Sequence, residues 1–192
     1  MGANSITDAG LYFQWGDTQG YTAAQVGTDK QFSDEDCKYG PIDWNDTTNV
    51  GLTKYNNTDH KTVLEASDDA VTAAWGGNWR MPTTAEFVAL GTATTSAWTA
   101  DYEGSGVAGL VLTANGDDSK VLFFPACGYA SDGSMNDVGD FGRYWSSSLN
   151  SYSVGRVYNL SFYFFNSSGY VNWQDDYASR AMGVPVRGVL DA

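Results

Sequence analysis

Val157-Tyr158-Asn159-Leu160-Ser161-Phe162-Tyr163-Phe164-Phe165 is the stretch that decides the fold. β-Branched, aromatic and alternating polar residues over this length predict a strand. Successive side chains of a strand point to opposite faces, so if Leu160, Phe162 and Phe164 enter a core, then Ser161, Tyr163 and Phe165 face outward. Exposed aromatics on one face imply a surface built for contact. The alternative is a sandwich strand buried on both faces. A second strand, Tyr170 to Trp173, directs Val171 and Trp173 inward and sets Tyr170 and Asn172 beside Tyr163, which enlarges the outward patch.

Further strands are predicted at Leu11 to Trp15, Leu110 to Thr113, Val121 to Phe124, Tyr144 to Ser148 and Val184 to Val189, with Gly16 to Asn57 mostly loop. Ser67, followed by Asp68 and Asp69, is expected to cap a short helix that ends at Gly76-Gly77. Thr83 and Glu86, placed three residues apart after Pro82, form a capping-box pattern that opens a second helix through Phe87, Val88 and Leu90. The class is therefore α+β, two helices beside antiparallel strands, with helices early and strands late.

The 192 residues suffice for one domain, read as residues 1–192 with a scaffold over about 1–143 and a binding segment over about 144–187. Hydrophobic residues make up 42% of the chain and aromatics 15%, which predicts a folded core rather than disorder. A formal charge of -13 repels phosphate backbones and argues against nucleic-acid partners. Mean hydropathy of -0.33 and the lack of a long apolar run argue against membrane insertion. Met1 to Gly10 lacks the basic start and apolar run of a signal peptide.

Between Tyr144 and Arg187 there is no Lys, Glu, Thr, Ile or His, whereas Ser, Tyr, Phe, Asn, Asp, Val and Gly abound. Such a mixture resembles a paratope, in which Tyr supplies contact area at low entropic cost and Ser, Gly and Asn adapt their hydrogen bonds. Catalytic chemistry has few candidates. Cys37 and Cys127 have no CxxC spacing, and either a disulfide between them or two buried thiols is compatible with their separation. His60 stands alone in a polar stretch and reads as a loop residue. Trp44-Asn45-Asp46 matches the Trp-Asn-Asp triplet of calcium-dependent lectins but lies before the helices, where that triplet does not belong. Asp175-Asp176 is not an EF-hand spacing, and calcium takes about six or more oxygens, so no metal or other cofactor is expected. Sequons at Asn45, Asn56, Asn159 and Asn166 arise readily by chance in so Asn- and Thr-rich a chain.

Three ordered motifs carry a family resemblance. Gly76-Gly77-Asn78-Trp79-Arg80-Met81-Pro82-Thr83-Thr84-Ala85-Glu86-Phe87, Tyr144-Trp145-Ser146-Ser147-Ser148 and Gly183-Val184-Pro185-Val186-Arg187 resemble the Fibrobacter succinogenes major paralogous domain and the variable proteins of diversity-generating retroelements. Leu11-Tyr12-Phe13-Gln14-Trp15-Gly16 fits the same pattern. The resemblance implies a C-type-lectin fold with long irregular loops and a ligand surface in the carboxy-terminal segment. In the retroelement proteins, adenines of Asn codons are replaced, and the resulting codons cannot encode Lys or Glu. Asn172 beside Asp175, Asp176 and Tyr177 suits that chemistry, since Asp and Tyr lie one base from Asn. A static adhesin domain is the alternative within the family. Arg80 to Phe87 also resembles the sulfatase-modifying formylglycine-generating enzymes, but their chemistry needs reactive cysteines late in the fold and none follows Cys127.

The expectation is a non-catalytic recognition domain on a virion or cell surface, binding a protein or glycan. Expected contacts are Tyr152, Val154, Arg156, Tyr163, Phe165, Tyr170, Asn172, Asp175, Asp176, Tyr177 and Ser179, while Trp145, Phe162, Phe164 and Trp173 serve as scaffold.

Overall fold

A computed structural model describes residues 1–165 and 168–191. Among these residues are two α-helices and a set of antiparallel strand pairings. Strand β1 (Tyr12–Phe13) is followed by a long loop region with two short 3-10 turns, then helix α1 (Ala70–Trp75), strand β2 (Trp79–Arg80) and helix α2 (Thr84–Ala93). Strands β3 (Thr94–Thr99), β4 (Gly109–Ala114) and β5 (Asp117–Pro125) form one meander, and β6 (Tyr129–Ser131) with β7 (Ser134–Asn136) a hairpin. The principal sheet contains β8 (Phe141–Leu149), β9 (Arg156–Phe165), β10 (Ser168–Asn172) and β11 (Tyr177–Ser179). Short strands β12 (Val184–Pro185) and β13 (Val189–Leu190) return to pair with β1 and β2 respectively.

Both helices begin where side-chain oxygens satisfy otherwise unpaired amides. For α1 the cap is Asp69, not Ser67: its Oδ1 accepts from the amides of Val71 and Thr72, each at 2.9 Å, and its Oδ2 from that of Met81 at 2.8 Å. One carboxylate thus starts the helix and fastens it to the chain leaving β2. Asp68 cannot compete for that role because Lys54 and the Tyr55 hydroxyl bind it. Gly76 and Gly77, at φ 63° and 58°, end the helix in a backbone region that a side chain would strain. At α2 the expected capping box is present: Thr83 Oγ1 accepts from the Glu86 amide at 3.3 Å, and Glu86 Oε2 accepts from the Thr83 amide at 2.8 Å. Glu86 also receives Arg80 through both guanidinium nitrogens, at 2.8 and 2.6 Å, and this charge-assisted pair holds its carboxyl down to about 2.

Strand β9 organises the principal sheet. Its residues from Val157 to Tyr163 run beside β8, with one irregularity between Trp145 and Leu149, while its opposite edge meets β11 at Tyr158–Arg156 and β10 at Phe165–Ser161. One core lies beneath Leu160 and Phe162, between the sheet, α2 and the β4–β5 hairpin, and includes Tyr144, Leu110, Leu112 and Phe87. A second core joins Val157, Trp145 and Ala178 to Phe13, Trp15, Tyr55 and Val184. Trp145 Nε1 donates to the Phe13 carbonyl at 2.8 Å and Trp15 Nε1 to that of Ser146 at 2.9 Å, so two buried indoles lock early and late segments together. Cys37 belongs to one core and Cys127 to the other, and both thiols are free.

Several expected boundaries change. The single strand predicted from Val184 to Val189 divides into β12 and β13, with Gly188 pressed so close to Trp75 that a Cβ there would lie 2.5 Å from its ring. Strand β3, the β6–β7 hairpin and β11 add elements where none is predicted. β3 has a mostly exposed, Thr- and Ser-rich sequence, which carries no apolar alternation. Ser161, expected to face outward, is 3% exposed, and Asn159 on the same face is 1% exposed, since the first half of β9 is covered on both faces. Phe164, expected inward, is 42% exposed: the core under the sheet ends at Phe162, and beyond it Phe164 stacks on Trp98 at 5.4 Å between ring centroids.

Candidate recognition surface

The open part of the principal sheet is formed by the distal ends of β8, β9 and β10. Antiparallel register places Tyr163 directly between Phe141 and Tyr170. The three rings form a column, with Tyr163 6.0 Å from Phe141 at an interplanar angle of 13° and 5.1 Å from Tyr170 at 17°. Cross-strand aromatic pairs of this kind stiffen one another. Tyr163 and Tyr170 nonetheless remain 40% and 47% exposed.

Arg143 lies one alternation along β8 from Phe141, on the same face. Its guanidinium carbon is 4.9 Å from the Phe141 ring and 5.1 Å from that of Tyr129, and Nη2 donates to Asp176 at 3.2 Å. Arg143 Nε, buried, has no protein partner among the described residues. Ser161 sits across from both Arg143 and Asn172, so the aromatic column, the ion pair and two small polar side chains border one concavity of about 420 Å³. A second concavity of about 480 Å³, between α2 and β10, shares Val171 and Asn172 with it. Gly91 of α2 permits this arrangement, because a Cβ there would come within 2.6 Å of the Trp173 indole, which is half-buried on the helix.

Tyr163, Tyr170, Asn172 and Asp176 are thus brought together as expected contacts, and Asp175 is exposed beside them. Asn172 has a turn-making role as well, since its Oδ1 accepts from the amides of Gln174 at 3.2 Å and Asp175 at 2.8 Å. Phe165, 60% exposed, lies at the far end of the same face of β9. Arg156 and Tyr177 belong to a separate cluster near the other end of β9, where the guanidinium lies 4.9 Å from the Tyr177 ring and 5.7 Å from that of Trp44. Trp44 was not among the expected contacts, although a lone aromatic in a polar loop is a visible signal. Its Nε1 donates to Asp34 Oδ2 at 2.7 Å, and Ser179 donates to the other oxygen of the same carboxylate at 3.2 Å. Ser179 is therefore partly committed to the scaffold.

Tyr152 is 89% exposed at the tip of the loop between β8 and β9, but Val154 is only 8% exposed. Val154 is corrected from a contact to a core residue: the Asn150 side chain accepts from the amides of Tyr152 and Ser153, and the resulting turn carries Val154 inward. Of the expected scaffold residues, Trp145 and Phe162 are fully buried and Trp173 is half-buried.

Burial pushes both the Cys37 and Cys127 thiols up. His60 is exposed. Asp46, from the lectin-like triplet, accepts backbone amides of Thr48, Asn49 and Gly51, which hold its carboxyl below the ordinary range and close its own loop. No group of three or more His, Cys, Asp or Glu residues converges among the described residues. Asn56 and Asn159 are buried, so their sequons are closed in the folded chain, Asn45 is exposed, and Asn166 lies outside the described residues. Comparison with protein-family models, curated proteins and solved structures yields no match.

Proposed function

We propose that this protein is a non-catalytic recognition domain of the C-type-lectin class, a retroelement-diversified variable protein that binds a protein or glycan on a cell surface. The observation that carries the proposal is the Phe141–Tyr163–Tyr170 column, half-buried at Phe141 and exposed at both tyrosines, beside the Arg143–Asp176 pair and fixed on paired antiparallel strands. Rigid aromatics with an adjoining Arg lose little entropy on binding and are the side chains that most often dominate interface energetics. Most of this surface comes from residues 144–187, the segment with the paratope-like composition. The pairing of β1 with β12, two short helices and long irregular loops support the fold assignment. Two buried thiols with raised pKa values are poor nucleophiles, which weighs against formylglycine-type chemistry.

The genomic neighbourhood tests the proposal. A reverse-transcriptase gene with a near-copy of the 144–187 coding segment is expected, with substitutions between isolates concentrated at adenines in codons of exposed positions such as Tyr163, Tyr170 and Asp175. Substitutions spread evenly through core and surface codons would overturn it in favour of a static domain.

A further inference from the structure

Helix α2 borders β10 through Val88 and Gly91, and through Phe87 and Leu90 it borders a different cavity, of about 450 Å³, which the edge strand β5 and residues 187–189 complete. Small-molecule pockets span roughly 300–1,000 Å³, so a compact organic ligand fits. Phe87 and Phe124 line it as buried residues, and Leu122 stands 50% exposed at its mouth.

Glu86 and Arg187 are the only lining residues with polar side chains. They differ in what they leave open. Both Glu86 oxygens are occupied, by Arg80 and by the amide and hydroxyl of Thr83. Arg80 is occupied in turn, donating through all three nitrogens to Glu86, Asp191 and the Met81 carbonyl. Arg187 donates only through Nη2, to the Phe123 carbonyl at 3.0 Å, and pairs with no carboxylate among the described residues. Its Nε and Nη1 have no acceptor among those residues, and unlike the sealed Nε and Nη2 of Arg180 they remain open to water. The guanidinium carbon lies 5.3 Å from the Phe124 ring and 5.8 Å from that of Tyr144, so the cation is already held in place at the wall that Phe123 and Phe124 form. A donor fixed in advance loses little freedom when a ligand arrives.

One fixed cation in an apolar enclosure restricts the chemistry of that ligand. A cationic ligand finds no free acceptor, because Glu86 is the only lining carboxylate. A polyhydroxylated one would bury hydroxyls against Phe, Leu and Val side chains without partners, at a cost. A dianion carries a second charge that Arg187 cannot match, beside Glu86 and within a chain of net charge -13. A single carboxylate on an apolar body suits both parts of the cavity, through charge-assisted hydrogen bonds at one end and apolar burial along the rest.

We propose that this cavity binds a small amphipathic monocarboxylic acid, its carboxylate accepting from the open donors of Arg187 and its aryl or alkyl body lying against Phe87, Leu90, Leu122 and Phe124. The site shares no residue with the two concavities at the sheet surface and does not rest on the proposed recognition function.

Amide NMR titration of the intact chain tests the proposal, with hydrocinnamate and octanoate as probes and their primary amides, octylamine and acetate as controls. At least one of the acids should shift the amides of Leu90, Leu122 and Gly188 saturably and bind about tenfold or more tighter than its neutral amide. Octylamine and acetate should not saturate over the same range. Arg187→Gln should abolish the preference for acid over amide while the amide still binds, which shows the cavity intact. Leu122→Glu changes an exposed position and sets a like charge at the mouth, so it should weaken the acid more than the amide even if Arg187→Gln does not fold. No saturable binding of either acid would overturn the proposal. So would equal affinity for acid and amide, a preference that survives Arg187→Gln, equal weakening of both by Leu122→Glu, or shifts centred on Ser5 and Trp75 in the recess that Arg187 also borders. The diversification of the sheet surface is read from the gene, so either proposal can fail without the other.

Discussion

Replacing Phe162 and Phe164 separately by Ala measures where the core beneath β9 stops. Phe162 is fully buried, stacked 6.2 Å from Tyr144, with its edge against Trp98. Gly142 lies opposite, so close that a Cβ there would come within 2.0 Å of the Phe162 ring, which shows how completely that ring fills the space over β8. Removing it leaves a cavity that neither β8 nor α2 can readily close, and the expected cost is about 3 to 5 kcal/mol. Phe164 is 42% exposed, and its main aromatic contact is one face of Trp98. Water can occupy its place, so only part of the transfer free energy and one stacking contact are lost, about 1 to 2 kcal/mol. In a chain of this size the two changes should lower Tm by about 6 to 20 °C and about 2 to 8 °C respectively, since each kcal/mol corresponds to about 2 to 4 °C. Urea titration of each variant, with an unchanged slope, checks that the difference lies in native-state burial. Equal losses for the two variants would show that the distal half of β9 is buried on both faces, and the recognition surface would lose its support.

Glu86→Gln should destabilise the start of α2 and also flatten the acid limb of stability. The carboxyl is held at about 2 against an ordinary 4.5, so the parent keeps this contribution above about 4.5 and loses it as pH falls towards 2, whereas the variant has none to lose; solvent screening reduces the magnitude. Gly91→Ala should push Trp173 off α2, detected as a shift of its indole N–H resonance and a changed environment for Asn172 across the two joined concavities. Cys37 and Cys127 should resist a disulfide-exchange reagent in the native protein and react together on unfolding, a result that rapid labelling of either thiol in the folded state would contradict.

Local chemistry was legible wherever it acted over a few residues. The Thr83–Glu86 box, the Gly76-Gly77 stop and the aromatic stretch of β9 are patterns whose partners lie within a turn or two. Side-chain direction at the ends of elements was less accessible, because it depends on what another part of the chain places opposite. Nothing in Ser67-Asp68-Asp69 reveals that Lys54 and Tyr55 engage Asp68 and leave Asp69 to cap the helix. Alternation assigned the correct parity to Phe164 but could not show that its face had passed the edge of the core. Val154 was misplaced for the complementary reason: a side chain in a short loop takes its direction from the Asn150 turn, which has no period to read.

The same contrast between local and distant partners separates fixed from open positions within the carboxy-terminal segment. Within residues 144–187, Trp145, Leu160, Phe162, Arg180 and Val184 are fully buried, interleaved with exposed Tyr152, Tyr163, Tyr170 and Tyr177. Arg180 holds the frame most directly: its guanidinium carbon lies 4.9 Å from the Trp15 ring and 5.4 Å from that of Tyr39, and its Nη1 donates to the carbonyls of Tyr55 and Val154 at 3.1 and 3.2 Å. Only Nη1 of this buried cation finds carbonyls, since Nε and Nη2 have no hydrogen-bond partner among the described residues. The aromatic faces around the guanidinium therefore carry much of its compensation, and a neutral or shorter replacement would lose both them and the two carbonyl contacts. Tyr163 and Tyr170 meet the opposite condition, because their rings are supported from below by strand pairing and from the side by one another while water covers the remainder. Substitution at such positions leaves the backbone ladder intact, so β9 carries frame and open surface in succession: Val157 and Asn159 to Phe162 are buried, and Tyr163 to Phe165 are exposed.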